Sequence, residues 1–304
     1  MFAGQGAQTI NELLSIYSKI ETSKKVFKDI SDIVSIPICK IIEEDLENEI
    51  YKPHISSLLI FGFNLILLRQ IQEIINPRFV IGYSIGQYSA LHFSKSIDFE
   101  SIVSLVNQRG RLLESITNTK TCLIGIIGLD SSKINELINQ ERNIFITSYS
   151  SPTNHTIACK QIHSKKIINK LNKLGALKCT IVKTSGAWHS PFVNRIINDF
   201  ETVIDKFTFS NPIFEFIDNS SAKSLNNNKD IKRGLVTHLN SPIKWFQTIE
   251  KVKQNNVTKF IEIGLGNHLS QFVKFSDRKL STFTTTPFIN ATHLNSKIKD
   301  WCKS

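Results

Sequence analysis

No stretch of this sequence is long and apolar enough to cross a membrane as a helix. The longest apolar run, LLIFGFNLILL (58–68), is too short for a span and predicts a buried helix instead. The opening residues, MFAGQGAQ, lack a basic segment followed by an apolar one and therefore read as no secretory leader. Cysteine is scarce: Cys39, Cys122, Cys159, Cys179 and Cys302 lie far apart with no CxxC pair. That spacing offers no zinc motif and predicts reduced thiols in a cytoplasmic protein. Internal repeats and low-complexity linkers are also missing.

Acidic residues are in deficit, with 26 Asp and Glu against 37 Lys and Arg, for a net charge of +11. Such a balance suits nucleic acid, an anionic membrane, or an acidic protein or ligand. The basic residues are dispersed, as in SKKVFK (23–28) and HSKKIINKLNK (163–173), and no aromatic RNA-binding signature accompanies them. Neither nucleic acid nor membrane is the expected partner. A solvated lysine-rich face and an acidic partner both remain open. At 304 residues the chain can bury a sizeable core, as one large domain or a large domain carrying a smaller one.

The expected class is α/β. RFVIG (78–82) and KFIEIG (259–264) read as buried strands, and 98–116 has helical apolar spacing. Residues 121–184 have a rhythm of their own: strand 122–129, helix 131–140, strands 143–150 and 155–159 around a turn, helix 163–175, strand 176–184. That β-α-β-β-α-β order is the ferredoxin-like unit. It predicts a small subdomain at 121–184 inserted in a large one made of 1–120 and 185–304. SAKSLNNNKDIK (221–232) reads as a polar surface loop.

Gly82-Tyr83-Ser84-Ile85-Gly86 lies between a strand and a helix, the pattern of a nucleophile elbow. The turn would expose the Ser84 hydroxyl at a helix N-terminus, where the dipole favours developing negative charge. A helix-capping serine is the alternative. A nucleophilic serine needs a base. His92 falls within the elbow's own helix, while His155 and His163 fall in the insert. His189, in a loop just after the insert, is the candidate base. Asp98, Glu114 and Asp130 all lie between serine and histidine, but none has a convincing strand-end context as a third member. AGQGAQ (3–8) could bring bare backbone N–H groups to a reacting carbonyl.

Arg109 interrupts an apolar stripe formed by Ile102, Leu105, Val106, Leu112 and Leu113. A guanidinium there must be paired, with a structural carboxylate or with that of a substrate, unless it reaches out to solvent at the stripe's edge. Gly110 beside it permits a close backbone approach.

Together these motifs resemble the malonyl-CoA:acyl carrier protein transacylases and the related acyltransferase domains of polyketide synthases. GQGAQ (4–8), GYSIGQYSAL (82–91), VNQRGRLLES (106–115), WHSP (188–191), HLNSPIKW (238–245) and EIGLG (262–266) follow that family's order along nearly the whole chain. The resemblance implies an α/β-hydrolase-like large subdomain with a parallel sheet and a ferredoxin-like insert. It implies Ser84 as the acylated nucleophile and His189 as its base, oriented by a backbone carbonyl around His238. Gln5 and Ile85 would supply the oxyanion hole, and Arg109 would hold a malonyl carboxylate. The chain departs from the family at Tyr83 (usually histidine), Gln87 (glutamate), Trp188 (phenylalanine), Ser150 (asparagine) and HISSL (54–58), and the usual first strand is shortened or absent.

What the resemblance implies is an enzyme that moves malonyl from malonyl-CoA to the phosphopantetheine thiol of an acidic acyl carrier protein, in fatty-acid or polyketide synthesis. Malonyl-CoA is then a substrate, with no bound cofactor and no metal. Two rivals stand beside it: an acyl hydrolase of the same fold, and a non-catalytic carrier-binding subunit.

Overall fold

Local sequence decides where the helices begin. Asp98 accepts a hydrogen bond from the Ser101 backbone and caps the helix Phe99–Glu114, and Asn227 does the same for Asn228–Asn240 through Asp230. Pro53 opens the helix Pro53–Arg69, whose residues 55–68 are all buried, as the apolar run predicts. The computed structural model describes residues 1–4, 10–44, 46–117, 120–182, 184, 186–286 and 291–303. No helix among them is long and apolar enough to cross a membrane.

The strands are β1 (Phe79–Ile81), β2 (Thr121–Ile127), β3 (Phe145–Tyr149), β4 (Asn154–Lys160), β5 (Lys178–Ile181), β6 (Glu215–Asp218), β7 (Lys223–Ser224), β8 (Lys259–Glu262) and β9 (Ser281–Thr284). They form a mixed α/β protein with two sheet systems. In the first, β1 runs parallel to β6, β6 antiparallel to β7, and β8 parallel to β9. Phe2 joins the two halves, bridging in parallel to Gly82 on one side and to Ile263 on the other. Backbone bonds of Met1, Phe2 and Ala3 to both neighbours complete the link between them. Helices Pro53–Arg69 and Phe99–Glu114 pack beside this sheet in one large core with Phe2, Val80 and Phe216.

In the second system the order is β3-β4-β2-β5 with every neighbour antiparallel. Side chains alternate across β2. Cys122, Ile124 and Ile126 join Ile134, Leu137, Ile167 and Leu171 of the two overlying helices in a core of their own. Leu123 faces the opposite way, towards Ala187. Two backbone bonds tie β3 to the rest of the protein: Tyr149 N–H to the Ile243 carbonyl (2.8 Å) and Ile243 N–H to the Thr147 carbonyl (2.9 Å).

Residues 221–232 are not the open loop their polarity suggests. Lys223–Ser224 pairs with β6, and the helix capped by Asn227 already covers 228–232. Short polar strands and caps carry too little apolar periodicity to stand out in a sequence.

Candidate active site

Ser84 sits between β1 and the helix Gly86–Phe93 with φ at +52°, a left-handed conformation that costs a residue with a side chain roughly 1–2 kcal/mol. Backbone packs so closely here that side chains are excluded on both flanks. A Cβ on Gly82 would lie 2.1 Å from the Gly86 carbonyl carbon, and one on Gly86 would lie 2.3 Å from the Phe2 oxygen. Asn219 fastens the turn further: its side chain donates to the Gly82 carbonyl, and its backbone N–H donates to Gln87 Oε1 at 2.9 Å. Gln87 therefore has a structural role in holding the elbow. The Ile85 N–H has no backbone acceptor among the described residues. Gln5 lies outside the described residues; Gly4, just before it, is pressed against the Tyr83 carbonyl.

His189, also at positive φ (+59°), places Nε2 2.7 Å from Ser84 Oγ. Its Nδ1 lies 2.7 Å from the His238 carbonyl, and its backbone N–H donates to the Leu239 carbonyl at 3.0 Å. A carbonyl only accepts, so Nδ1 carries the proton and the Nε2 lone pair faces the serine. The helix Asn228–Asn240 ends here, so both carbonyls belong to its last turn, where intrahelical donors run out and the dipole is negative. Two helix-end carbonyls thus orient the histidine. No carboxylate bonds to it among the described residues: Asp98 is a helix cap, Glu114 pairs with His54, and Asp130 precedes the helix Ser131–Gln140. Burial lowers the pKa of His189 to about 3 against the pull of the His238 carbonyl, and the Arg109 charge pushes the same way as burial. The imidazole is therefore neutral at pH 7 and able to take a proton.

The other histidines go elsewhere. His92 contacts the Ile97 carbonyl, His155 the Pro152 carbonyl, and His163 is exposed. The His238 ring is buried 4.5 Å from the His189 ring, with neither nitrogen partnered among the described residues.

Arg109 is 3 % exposed and forms no ion pair with any described carboxylate. Its guanidinium lies 5.5 Å over the Tyr88 ring, and its Nε has no partner among the described residues. Burial lowers its pKa, with Tyr88 opposing. Its charge reaches both His189 and His238. Gly110 lets this helix approach Pro53–Arg69, since a Cβ there would lie 2.4 Å from His54 Cα. A buried cation with no anion beside it among the described residues is costly to hold unless one pairs with it.

A cavity of about 90 Å³ opens at the serine, lined by Tyr83, Ser84, Ser148, Trp188, His189 and Ile243 among others. Arg109 is not part of that lining. Trp188 is buried against Gly186. Tyr83 contacts Ser148 (2.6 Å) and Ser150 (3.4 Å) through its hydroxyl. A wider cleft of about 380 Å³, lined by Ile126, Ile127, Phe272 and Phe275, lies beyond Tyr83. Sequence reasoning missed Ser148, Tyr88 and Asn219. Ser148 alone had a signal, two residues before Ser150 in a predicted strand and therefore on the same face. No cluster of metal-binding side chains occurs among the described residues.

No family model matches the chain. Curated relatives do. The chain is 25% identical over 292 residues to the malonyl CoA-acyl carrier protein transacylase of Staphylococcus aureus (strain MSSA476), covering 94% of each. It is 26% identical over 294 residues to that of Bacillus subtilis (strain 168), covering 94% of this chain and 92% of the relative. Among solved structures, the fold matches the malonyl CoA-acyl carrier protein transacylase of Coxiella burnetii with a TM-score of 0.91 at 20% identity, over 98% and 95% of the two chains. It also matches a malonyl-transacylase solved in complex with its type II polyketide synthase acyl-carrier protein, with a TM-score of 0.90 at 23% identity and 98% coverage of both chains.

Proposed function

We propose that this protein, a relative of the malonyl-CoA:acyl carrier protein transacylases along nearly its full length, transfers malonyl groups from malonyl-CoA to the phosphopantetheine thiol of an acyl carrier protein. The observation that carries this reading is Arg109, a buried guanidinium with no described protein carboxylate, whose charge reaches the base of a serine–histidine pair. A malonyl group brings a free carboxylate to such a cation, which an acetyl group does not.

In the first half-reaction Ser84 Oγ attacks the thioester carbonyl while His189 Nε2 takes its proton. The His238 carbonyl and the helix end behind it stabilise the imidazolium. The Ile85 and Gln5 N–H groups receive the oxyanion. Collapse breaks the C–S bond, and the departing CoA sulfur takes the proton from His189. In the second half the carrier thiol gives its proton to His189, attacks malonyl-Ser84, and the proton returns to Ser84 as the new thioester forms. Arg109 holds the carboxylate throughout. Trp188 limits the bulk of the acyl group, and Ser150 lines the wider cleft that shares Tyr83 as a wall. An acidic carrier complements the net charge of +11.

The strand order β3-β4-β2-β5 and the separate core of residues 121–184 support reading that segment as a ferredoxin-like subdomain inserted into an α/β-hydrolase-like one of 1–120 and 185–304. The test of function is direct. Incubation with malonyl-CoA should add malonyl to Ser84, seen by intact mass, and holo carrier protein should then remove it. Preferential acetyl or long-chain loading that discharges to water would establish the hydrolase instead.

A further inference from the structure

Tyr83 precedes the nucleophile and is held on every side. Its N–H donates to the Phe2 carbonyl (3.0 Å), and its carbonyl accepts from Gly86 N–H (2.9 Å). Its ring packs edge-on against Trp245 at 5.5 Å and lies tilted 6.2 Å from Phe272. Its hydroxyl bonds Ser148 at 2.6 Å, and Ser148 bonds Ser150 at 2.9 Å, so three hydroxyls run in a chain from the elbow into the insert. Burial keeps the phenol protonated and therefore able to donate. Tyr83 also stands in the walls of both the cavity at Ser84 and the wider cleft.

A residue at positive φ, as Ser84 is, persists only where its surroundings over-determine it. We propose that Tyr83 is a positioning residue: its hydroxyl, with Ser148 and Ser150, latches the insert to the nucleophile turn and keeps Ser84 aimed at an incoming thioester. The inference rests on Ser84 being the nucleophile and deepens the transferase reading. It also explains two departures from the family pattern at once. A phenol reaches further than the usual histidine, and serine is shorter than the usual asparagine at 150. Here a long phenol meets two short serines, at 2.6 Å and 3.4 Å, so a shorter ring at 83 leaves a gap that a longer side chain at 150 would fill.

The test uses two covalent reactions of the full chain. One is acylation by malonyl-CoA. The other is labelling by a fluorophosphonate, in which Ser84 Oγ bonds phosphorus, fluoride leaves and His189 takes the proton. Tyr83→Phe and Ser148→Ala should each slow labelling by on the order of 3- to 10-fold with melting temperature nearly unchanged. Tyr83→His should fall similarly, and Tyr83→His with Ser150→Asn should recover most of the loss, with melting temperature flat across the series; a purely structural role would move labelling only together with stability. A folded Tyr83→Phe protein that labels at the unmodified rate overturns the latch. If that variant fails to fold, Ser148→Ala, which leaves the phenol in place, decides by the same criterion. If the unmodified protein labels but never takes up malonyl, the transferase reading fails while the labelling rates still decide the latch.

Discussion

Ser84 Oγ lies 2.7 Å from His189 Nε2, although 105 positions separate the two residues. Both hold positive φ, +52° and +59°, as do six other described non-glycine residues, so the serine and the histidine each sit in a strained turn. Neutrality of the histidine follows from its burial, and pH should expose it. The pKa is about 3 in the folded chain, against an ordinary value of 6.5. Between these values the unfolded chain binds a proton that the native chain does not. Stability is therefore fully present above pH 6.5 and lost as pH falls towards 3, by on the order of 5 kcal/mol from this residue. Urea unfolding at pH 7, 5 and 4 should show a steeper acid loss for the unmodified protein than for His189→Ala. Equal slopes would refute the assignment. Acylation of Ser84 should likewise continue through pH 6.5 without an acid limb there.

Arg109 should behave as a ligand-binding cation and not as half of a structural ion pair. Arg109→Ala should lower acylation by malonyl-CoA by roughly 10- to 100-fold, the worth of a charge-assisted pair, while acetyl-CoA acylation does not fall. Arg109→Met, similar in length, should raise the melting temperature by a few degrees, because it removes a buried charge with no described carboxylate partner. A fall in stability would show a partner for Arg109 inside the protein.

Gly86 should tolerate no side chain. An added Cβ would meet the Phe2 oxygen at 2.3 Å and the Ala3 oxygen at 2.8 Å, both backbone atoms of the bridging strand. Gly86→Ala should cost about 2–3 kcal/mol by denaturant unfolding and depress Ser84 acylation more than that loss of folded protein explains. Acylation that merely tracks the folded fraction would detach the glycine from the site.

Trp188 should set acyl size. It is 7 % exposed and lines the cavity at Ser84. Trp188→Phe should cost about 1–2 kcal/mol and enlarge that cavity. The ratio of acylation by methylmalonyl-CoA to that by malonyl-CoA should then rise, and an unchanged ratio would place the bulk limit elsewhere.

Much of this architecture is legible because its signals are local. Asp98 begins a helix at the point where the apolar spacing starts. The two glycines of the elbow mark a turn that no other residue could occupy. The helix 131–140 and the strands around 149–154 follow from periodicity and turn residues. Arg109 is conspicuous because a charge in an apolar stripe contradicts its neighbours.

What the chain alone determined was therefore the kind of chemistry: a serine in a glycine-flanked turn, a histidine in the loop that follows residues 121–184, and a cation set in an apolar stripe. Tertiary structure decided which histidine meets the serine and what holds it. The carbonyls of His238 and Leu239 reach His189 only because a helix 49 residues further on ends beside it. It also decided that Tyr83 meets Ser148 across two sheet systems. Hydrogen bonds depend on distance in space, and distance in sequence carries no record of them until the chain has packed.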